Sequence, residues 1–247
     1  MIQLIKNKML ETFDIFVLTC DKSIQCCDIF QKIYSKIKLP NSKVYFLGYQ
    51  QPKFKLLDNF YFISLNSVDP GPKCSTLIKH FFKSYNKDYF ILTVDDHIPI
   101  IQNNKYADKI YNFIFKEGNV GRYGLTHDVE LSTQHSNYKT VEDIDLIVVN
   151  QRSQYQLSLV WSIWNKNFLL NNLVDNQDLW QFETNDNKFN LDHYKVYGVK
   201  NYNNSFIDTS HLYKRGQFKK NTYMYSTYSK KLINSEYVDI IDSIVKK

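Results

Sequence analysis

Glycine and proline are scarce, seven and five residues among 247, which leaves little material for flexible linkers and excludes a low-complexity or collagen-like chain. Cysteine is scarce as well. Cys20, Cys26, Cys27 and Cys74 show neither the paired spacing of a zinc site nor an extracellular disulfide framework, and neighbours such as Cys26 and Cys27 rarely bridge each other. Reduced thiols in a cytoplasm are the expectation. No apolar run reaches the length of a membrane span: Ile15 to Cys20 is too short and is flanked by Asp14, Asp21 and Lys22, so neither a signal peptide nor a transmembrane helix is expected. Long runs of one charge sign are missing too. The net charge of +6 comes from lysines scattered along the chain, whereas a nucleic-acid footprint clusters, so nucleic acid is not an expected partner. The densest basic group is Lys214, Arg215, Lys219 and Lys220, suited to phosphates, to nucleic acid or to peripheral contact with an anionic membrane surface.

Aromatic residues are plentiful. With 19 Tyr, 17 Phe and a hydrophobic fraction of 43%, the chain can bury a large core, and its length fits one α/β domain. Phe13 to Thr19 reads as a buried strand, Ser23 to Ile37 as a helix stopped by Pro40-Asn41, and Lys43 to Tyr49 and Asn59 to Leu65 as two short strands. Ser75 to Tyr85 has helical spacing, and Tyr89 to Val94 is the next strand. Strands alternating with helices predict a mainly parallel sheet. Further on, Lys105 to Glu117 reads as a helix, Arg122 to Leu125, Ile144 to Val149 and His193 to Val199 as extended, and Tyr237 to Val245 as an amphipathic segment. Leu157 to Leu173 carries the clearest helical pattern, with Val160, Trp161, Trp164, Phe168 and Leu169 on one apolar face.

The chemistry concentrates at Tyr89-Phe-Ile-Leu-Thr-Val-Asp-Asp-His97, an apolar run that ends in two carboxylates and an imidazole. Carboxylates at a strand end cost free energy unless solvated, paired or bound to a cation, and parallel sheets assemble their sites beyond the carboxyl ends of strands. Asp95, Asp96 and His97 therefore suggest a divalent ion beside a phosphate-bearing substrate. Mg²⁺ takes oxygen ligands, and Mn²⁺ also accepts the imidazole. Thr19-Cys20-Asp21 closes the first strand, and both loops open onto one crevice if the two strands are neighbours.

Val94-Asp95-Asp96-His97 resembles the variant DxD motif of GT-A-type nucleotide-sugar glycosyltransferases. Leu157-Ser-Leu-Val-Trp-Ser-Ile-Trp-Asn-Lys-Asn-Phe-Leu-Leu170 with Trp180-Gln-Phe-Glu183 resembles a tryptophan-helix and WEFE-like pattern of small bacterial and viral members, and Tyr213-Lys-Arg-Gly216 resembles their C-terminal loop. The resemblance spans roughly Asp14 to Lys220. It departs where His97 stands for the usual terminal Asp, and where Ser158 stands for a common Gln.

The resemblance implies a single GT-A-like α/β domain over 1–247, with a Rossmann-like, mixed, mainly parallel sheet flanked by helices. Residues 1–100 would form its nucleotide-binding half, 101–220 its acceptor-binding half, and 221–247 a C-terminal tail. It implies transfer of a sugar from a UDP-sugar to a hydroxyl of a glycan or glycoconjugate, with inversion and assisted by Mn²⁺ or Mg²⁺. Thr19, Cys20, Asp21, Asp95 and Asp96 would hold the nucleotide, joined by Lys73 and Arg215. Asp95, His97 and His211 would hold the metal, and Glu183, at the start of a helical turn, would be the catalytic base, with Asp178 or Asp186 as substitutes. Trp180 is the candidate stacking platform for an acceptor ring, whereas Trp161 and Trp164 read as core. Two other readings stay open: a metal-dependent phosphodiesterase or nuclease, and a nucleotide-sugar-binding module without catalysis.

Overall fold

The β-branched and aromatic runs of the first hundred residues all become strands. The computed structural model describes residues 13–37, 43–141, 143–150, 153–184, 193–214 and 217–245. Strand β1 (Ile15–Leu18) is wholly buried, and helix α1 (Ile24–Tyr34) covers it with Cys26, Cys27, Ile29, Phe30 and Ile33 facing inward. Strands β2 (Val44–Gly48) and β3 (Phe60–Ser64) follow, then a short 3₁₀ turn at Gly71–Lys73, helix α2 (Ser75–Ser84) and strand β4 (Tyr89–Val94). These four strands lie in the order β3-β2-β1-β4, all parallel. The helix stop expected at Pro40-Asn41 lies outside the described residues.

After β4 the chain makes a two-residue turn at Asp95-Asp96 into strand β5 (His97–Gln102), then helix α3 (Ala107–Glu117), strand β6 (Val120–Gly124) and the short helix α4 (Asp128–Ser132). Gly118, at φ 69, takes the left-handed conformation that ends α3, and its N–H bonds the carbonyl of Ile114. Strands β7 (His135–Val141), β8 (Ile144–Val149) and β9 (Ser162–Asn165), helices α5 (Lys166–Asn172) and α6 (Leu179–Thr184), and strands β10 (Lys195–Val199) and β11 (Ile207–His211) follow. The described chain closes with a small hairpin, β12 (Tyr213–Lys214) and β13 (Gln217–Phe218), and helices α7 (Lys220–Tyr223) and α8 (Ser235–Val245). Nine strands form the central sheet in the order β3-β2-β1-β4-β9-β6-β10-β8-β7, and β5 and β11 make a separate antiparallel ribbon. Of the nine, β9 and β8 alone run against the rest. The fold is thus mixed α/β, a largely parallel central sheet flanked by helices.

The helix expected over Leu157 to Leu173 is corrected. Ser162–Asn165 is strand β9, inserted at the middle of the sheet, where Ile163 pairs with Ile91 of β4 and with Tyr123 of β6. Only Lys166–Asn172 is helical, opened by the Asn165 side chain accepting from the N–H of Phe168. A strand buried on both faces reads as an unbroken apolar run, and such a run does not separate strand from helix by period. Trp161 and Trp164 are both fully buried but on opposite sides of the sheet. Trp161 stacks on Phe30 at 5.7 Å between ring centroids and donates its indole N–H to the carbonyl of His97 at 2.8 Å, while Trp164 packs against Phe168 and Phe182.

Trp161→Ala removes that stack and hydrogen bond together, so urea denaturation is expected to show a loss of about 3–5 kcal/mol. A loss below about 1 kcal/mol would contradict the packing described.

Candidate functional site

The register of β1 against β4 puts two loops side by side. Leu18 pairs with Val94, the Asp95 N–H donates to the carbonyl of Leu18 at 3.0 Å, and the Thr19 N–H donates to Leu47 at 3.0 Å. Both polar segments therefore emerge at the same edge of the sheet. The hydroxyls of Thr19 and Ser23 each donate to Oδ2 of Asp95 at 2.5 Å, so the first strand's loop and the acidic turn are joined directly. They line a cavity of about 370 Å³ whose remaining wall is largely apolar, with Leu47, Tyr49, Leu65 and Ile78. Cys20, Asp96 and Tyr213 also face it.

The other nucleotide candidates spread out. Asp21 is not part of the cavity wall: its N–H donates to Asp69 and its carboxylate accepts from the Gln50 N–H. Lys73 is exposed on the 3₁₀ turn, and only its neighbours Gly71 and Cys74 reach the cavity. Arg215 lies outside the described residues, as does Asp186.

At the turn, Asp96, His97 and His211 come together. Pairing of β5 with β11 sets His97 opposite His211, and their rings stack at 4.5 Å. Nε2 of His211 lies 2.8 Å from Oδ2 of Asp96, and one candidate ligand atom from each of the three residues falls within 4.8 Å of the others. Asp95 is not a member of this group; its Oδ2 is turned to Thr19 and Ser23. All four cysteines carry free thiols and none joins it.

The donor set suits a cation. Nδ1 of His97 is buried and has no partner, and burial first of all holds this imidazole down to about 4, which favours the neutral ring with one nitrogen lone pair available. Two imidazoles beside one carboxylate favour Mn²⁺ over Mg²⁺, whose ligands are oxygens. Burial pushes Asp96 up, but the hydrogen bond from His211 above all, with the electrostatic influence of the two imidazoles, outweighs it and leaves the carboxyl below its usual range. Burial, and then the neighbouring charge of Asp96, push Asp95 up to about 8, against the pull of the Ser23 and Thr19 hydroxyls. The adjacent carboxyls are thus held apart in protonation, Asp96 toward the charged form and Asp95 toward the neutral one.

A second cavity, of about 430 Å³, adjoins the first and shares Val94, Asp96 and Leu179 with it. Glu183 faces this second space, with Asp128, Tyr155, Trp180 and the two histidines. The expectation that Glu183 opens a helical turn is corrected: it is the penultimate residue of α6, so a favourable interaction with the helix N-terminus does not explain it. Asp178 occupies that end instead, accepting from the Gln181 N–H at 2.6 Å. Oε1 of Glu183 accepts from the Leu159 N–H at 2.6 Å. Burial above all pushes its carboxyl up to about 7, although that hydrogen bond and Arg122 pull the other way. Trp180 is 63% exposed beside Tyr155, at 6.0 Å between ring centroids, an open aromatic surface at the cavity mouth. Ser158, at the position of the common Gln, accepts from the Val160 N–H at 3.3 Å.

Two contributors were missing from the sequence reading. Ser23 carries a local signal, a hydroxyl at the entry of a helix that follows a strand, yet it spends it on Asp95 and makes no side-chain cap to its own helix. Asp128 carries no motif. It becomes visible only because β6 places Arg122 beneath it.

No family model matches the chain, and no curated protein matches it in sequence. Among solved structures, it overlaps S. aureus TarS residues 1–349 at 12% identity and a TM-score of 0.47, over 75% of this chain and 59% of that one. It overlaps the bifunctional IspDF of Campylobacter jejuni at 13% identity and 0.41, over 78% and 50%. A UDP-glucose pyrophosphorylase in its apo form overlaps at 6% identity and 0.47, over 95% and 99%. The chain spans 59% and 50% of the first two of these proteins. At these identities and scores the overlaps assign neither activity nor ligand.

Proposed function

We propose that this chain is a glycosyltransferase that moves a sugar from a nucleoside-diphosphate sugar, with UDP as the nucleotide, to a hydroxyl of a glycan or glycoconjugate. One observation carries the reading: two adjoining cavities at the carboxyl edge of the parallel strands meet at Asp96, with a carboxylate–bis-imidazole cluster at the junction. The apolar first cavity suits a nucleoside, and the second, with Glu183 and the Trp180 surface, suits the two sugars. The DxD-like Asp95-Asp96-His97, and Trp180 and Glu183 of the second motif of the sequence resemblance, line these same cavities.

In this mechanism Asp95, held by Thr19 and Ser23, accepts a ribose hydroxyl and orients the nucleotide. A divalent cation held by Asp96, His97 and His211 would supply positive charge for the departing diphosphate. Glu183 takes the proton of the acceptor hydroxyl as that oxygen attacks the anomeric carbon, the bond from that carbon to the diphosphate oxygen breaks, and the configuration inverts. Leu159 fixes one oxygen of Glu183, which leaves the other for the incoming hydroxyl.

A donor panel tests this: release of UDP from one of a set of UDP-sugars, dependent on Mn²⁺, is the expected result. Hydrolysis of oligonucleotides without release of UDP would point instead to the phosphodiesterase reading, and UDP binding without any turnover to a binding module. Among the described residues no helix is long and apolar enough to cross a membrane.

A further inference from the structure

Beneath the second cavity lies an ion pair that the mechanism above does not use. Arg122 on β6 has no exposed surface at all, and a guanidinium taken that far from water must satisfy its donors or destabilise the fold. It does so with three acceptors: Nη2 donates to Oδ2 of Asp128 at 2.9 Å, Nε to the hydroxyl of Ser162 at 2.9 Å and Nη1 to the carbonyl of Gln156 at 3.4 Å. The other oxygen of Asp128 accepts from the Thr126 hydroxyl at 2.6 Å. Both carboxylate oxygens are thereby held from behind and keep one acceptor direction each, and Asp128 forms part of the cavity wall. Two more acids, Asp96 and Glu183, share that wall. Its described residues include no Lys or Arg, only His97 and His211 on the basic side.

We infer that Asp128, fixed by Arg122, is the specificity residue for the transferred sugar: it accepts hydrogen bonds from hydroxyls of a neutral hexosyl unit, and the acidic wall excludes uronic-acid donors. The inference rests on the nucleotide-sugar reading of the same site. A carboxylate is an acceptor of two O–H groups in a defined plane, which matches vicinal sugar hydroxyls and offers nothing to an N-acetyl carbonyl or a second carboxylate. Because the orientation is set by two donors on buried residues, Arg122 and Thr126, little ordering is left to be done when the sugar arrives.

Calorimetric affinities of UDP, UDP-glucose, UDP-galactose and UDP-glucuronic acid, all with Mn²⁺, decide the matter. In the intact protein, at least one neutral UDP-hexose is expected to bind more tightly than UDP, and the glucuronate about tenfold or more weaker than that hexose, through like-charge repulsion. Asp128→Ala is expected to weaken the hexose by about 10- to 100-fold, to the level of UDP, while UDP itself is unchanged. That variant strands Arg122 and can fail to fold, in which case the glucuronate comparison in the intact protein stands alone. A glucuronate that binds as well as the best hexose, or a folded Asp128→Ala that keeps the full hexose preference, overturns the assignment while leaving the nucleotide reading intact. Absence of UDP binding overturns the nucleotide reading, and the assignment with it.

Discussion

Glu183→Gln is expected to lower the rate of sugar transfer by about 10²- to 10⁴-fold while leaving UDP affinity unchanged. The amide keeps an oxygen for the Leu159 N–H, so the local fold survives, but it cannot take a proton from the acceptor. Loss of UDP binding in a folded variant would argue against the base role, because Glu183 faces the second cavity and not the first. The same residue predicts the pH profile. Burial raises its carboxyl to about 7, so the fraction able to act as base grows as pH rises through that value, and kcat/KM should climb between pH 6 and pH 8, with about a tenfold rise per pH unit on the acid limb. In Glu183→Gln that limb should vanish from the residual activity. Stability runs the opposite way. A carboxyl whose folded value lies above its unfolded one favours the folded state fully below the unfolded value and loses that contribution as pH rises through the folded one. The Gln variant should therefore gain on the natural protein between pH 4 and pH 8, by on the order of 2–3 kcal/mol, as followed by urea denaturation at each pH.

The second large effect concerns the cation. At a Mn²⁺ concentration a hundredfold above its dissociation constant, mass action adds about 2.7 kcal/mol to the folded state, which for a chain of this size raises Tm by roughly 5–10 °C. His211→Ala removes one of three ligands and is expected to abolish that rise and to bring transfer close to the metal-free level. The variant loses only a half-exposed side chain, so its stability without Mn²⁺ should stay near that of the natural protein. An undiminished Mn²⁺ shift in His211→Ala would remove the cluster from the mechanism. His97→Ala is a poorer probe, since that ring stacks on His211 and its loss disturbs a second ligand at once.

The parallel half of the sheet was legible because each of its strands is a short β-branched or aromatic run followed by a helical period, as in Phe13 to Ile37. Strand β9 was not, since a strand buried on both faces gives Trp161 and Trp164 the same spacing that a helix would. Strand β5 was hidden by Pro99, which forfeits a ladder hydrogen bond and is tolerated because β5 pairs only with β11 among the described strands. That the two loops adjoin was legible from their position at strand ends. Resemblance put His211 with Asp95 and His97, whereas Asp96 takes the place of Asp95 in the group, because the contact closes over more than a hundred residues and depends on a ribbon no local pattern announces. Arg122 and Asp128 were invisible for a related reason: six residues apart, they meet only through the bend from β6 into α4.

Helix α8 lies against α1, with Lys36 bonded to Glu236 at 2.6 Å and Ile241 fully buried, while Tyr223 and Lys220 both hold Asp242. The first turn of α1 follows Ser23, whose hydroxyl is locked to Asp95. The two helices and that hydroxyl act as a brace in series. Under the proposed function, a proteolytic nick before Ser235 that releases α8 is expected to loosen α1 and, through Ser23, the hold of Asp95 on the nucleotide, while Glu183 keeps its own bond to Leu159.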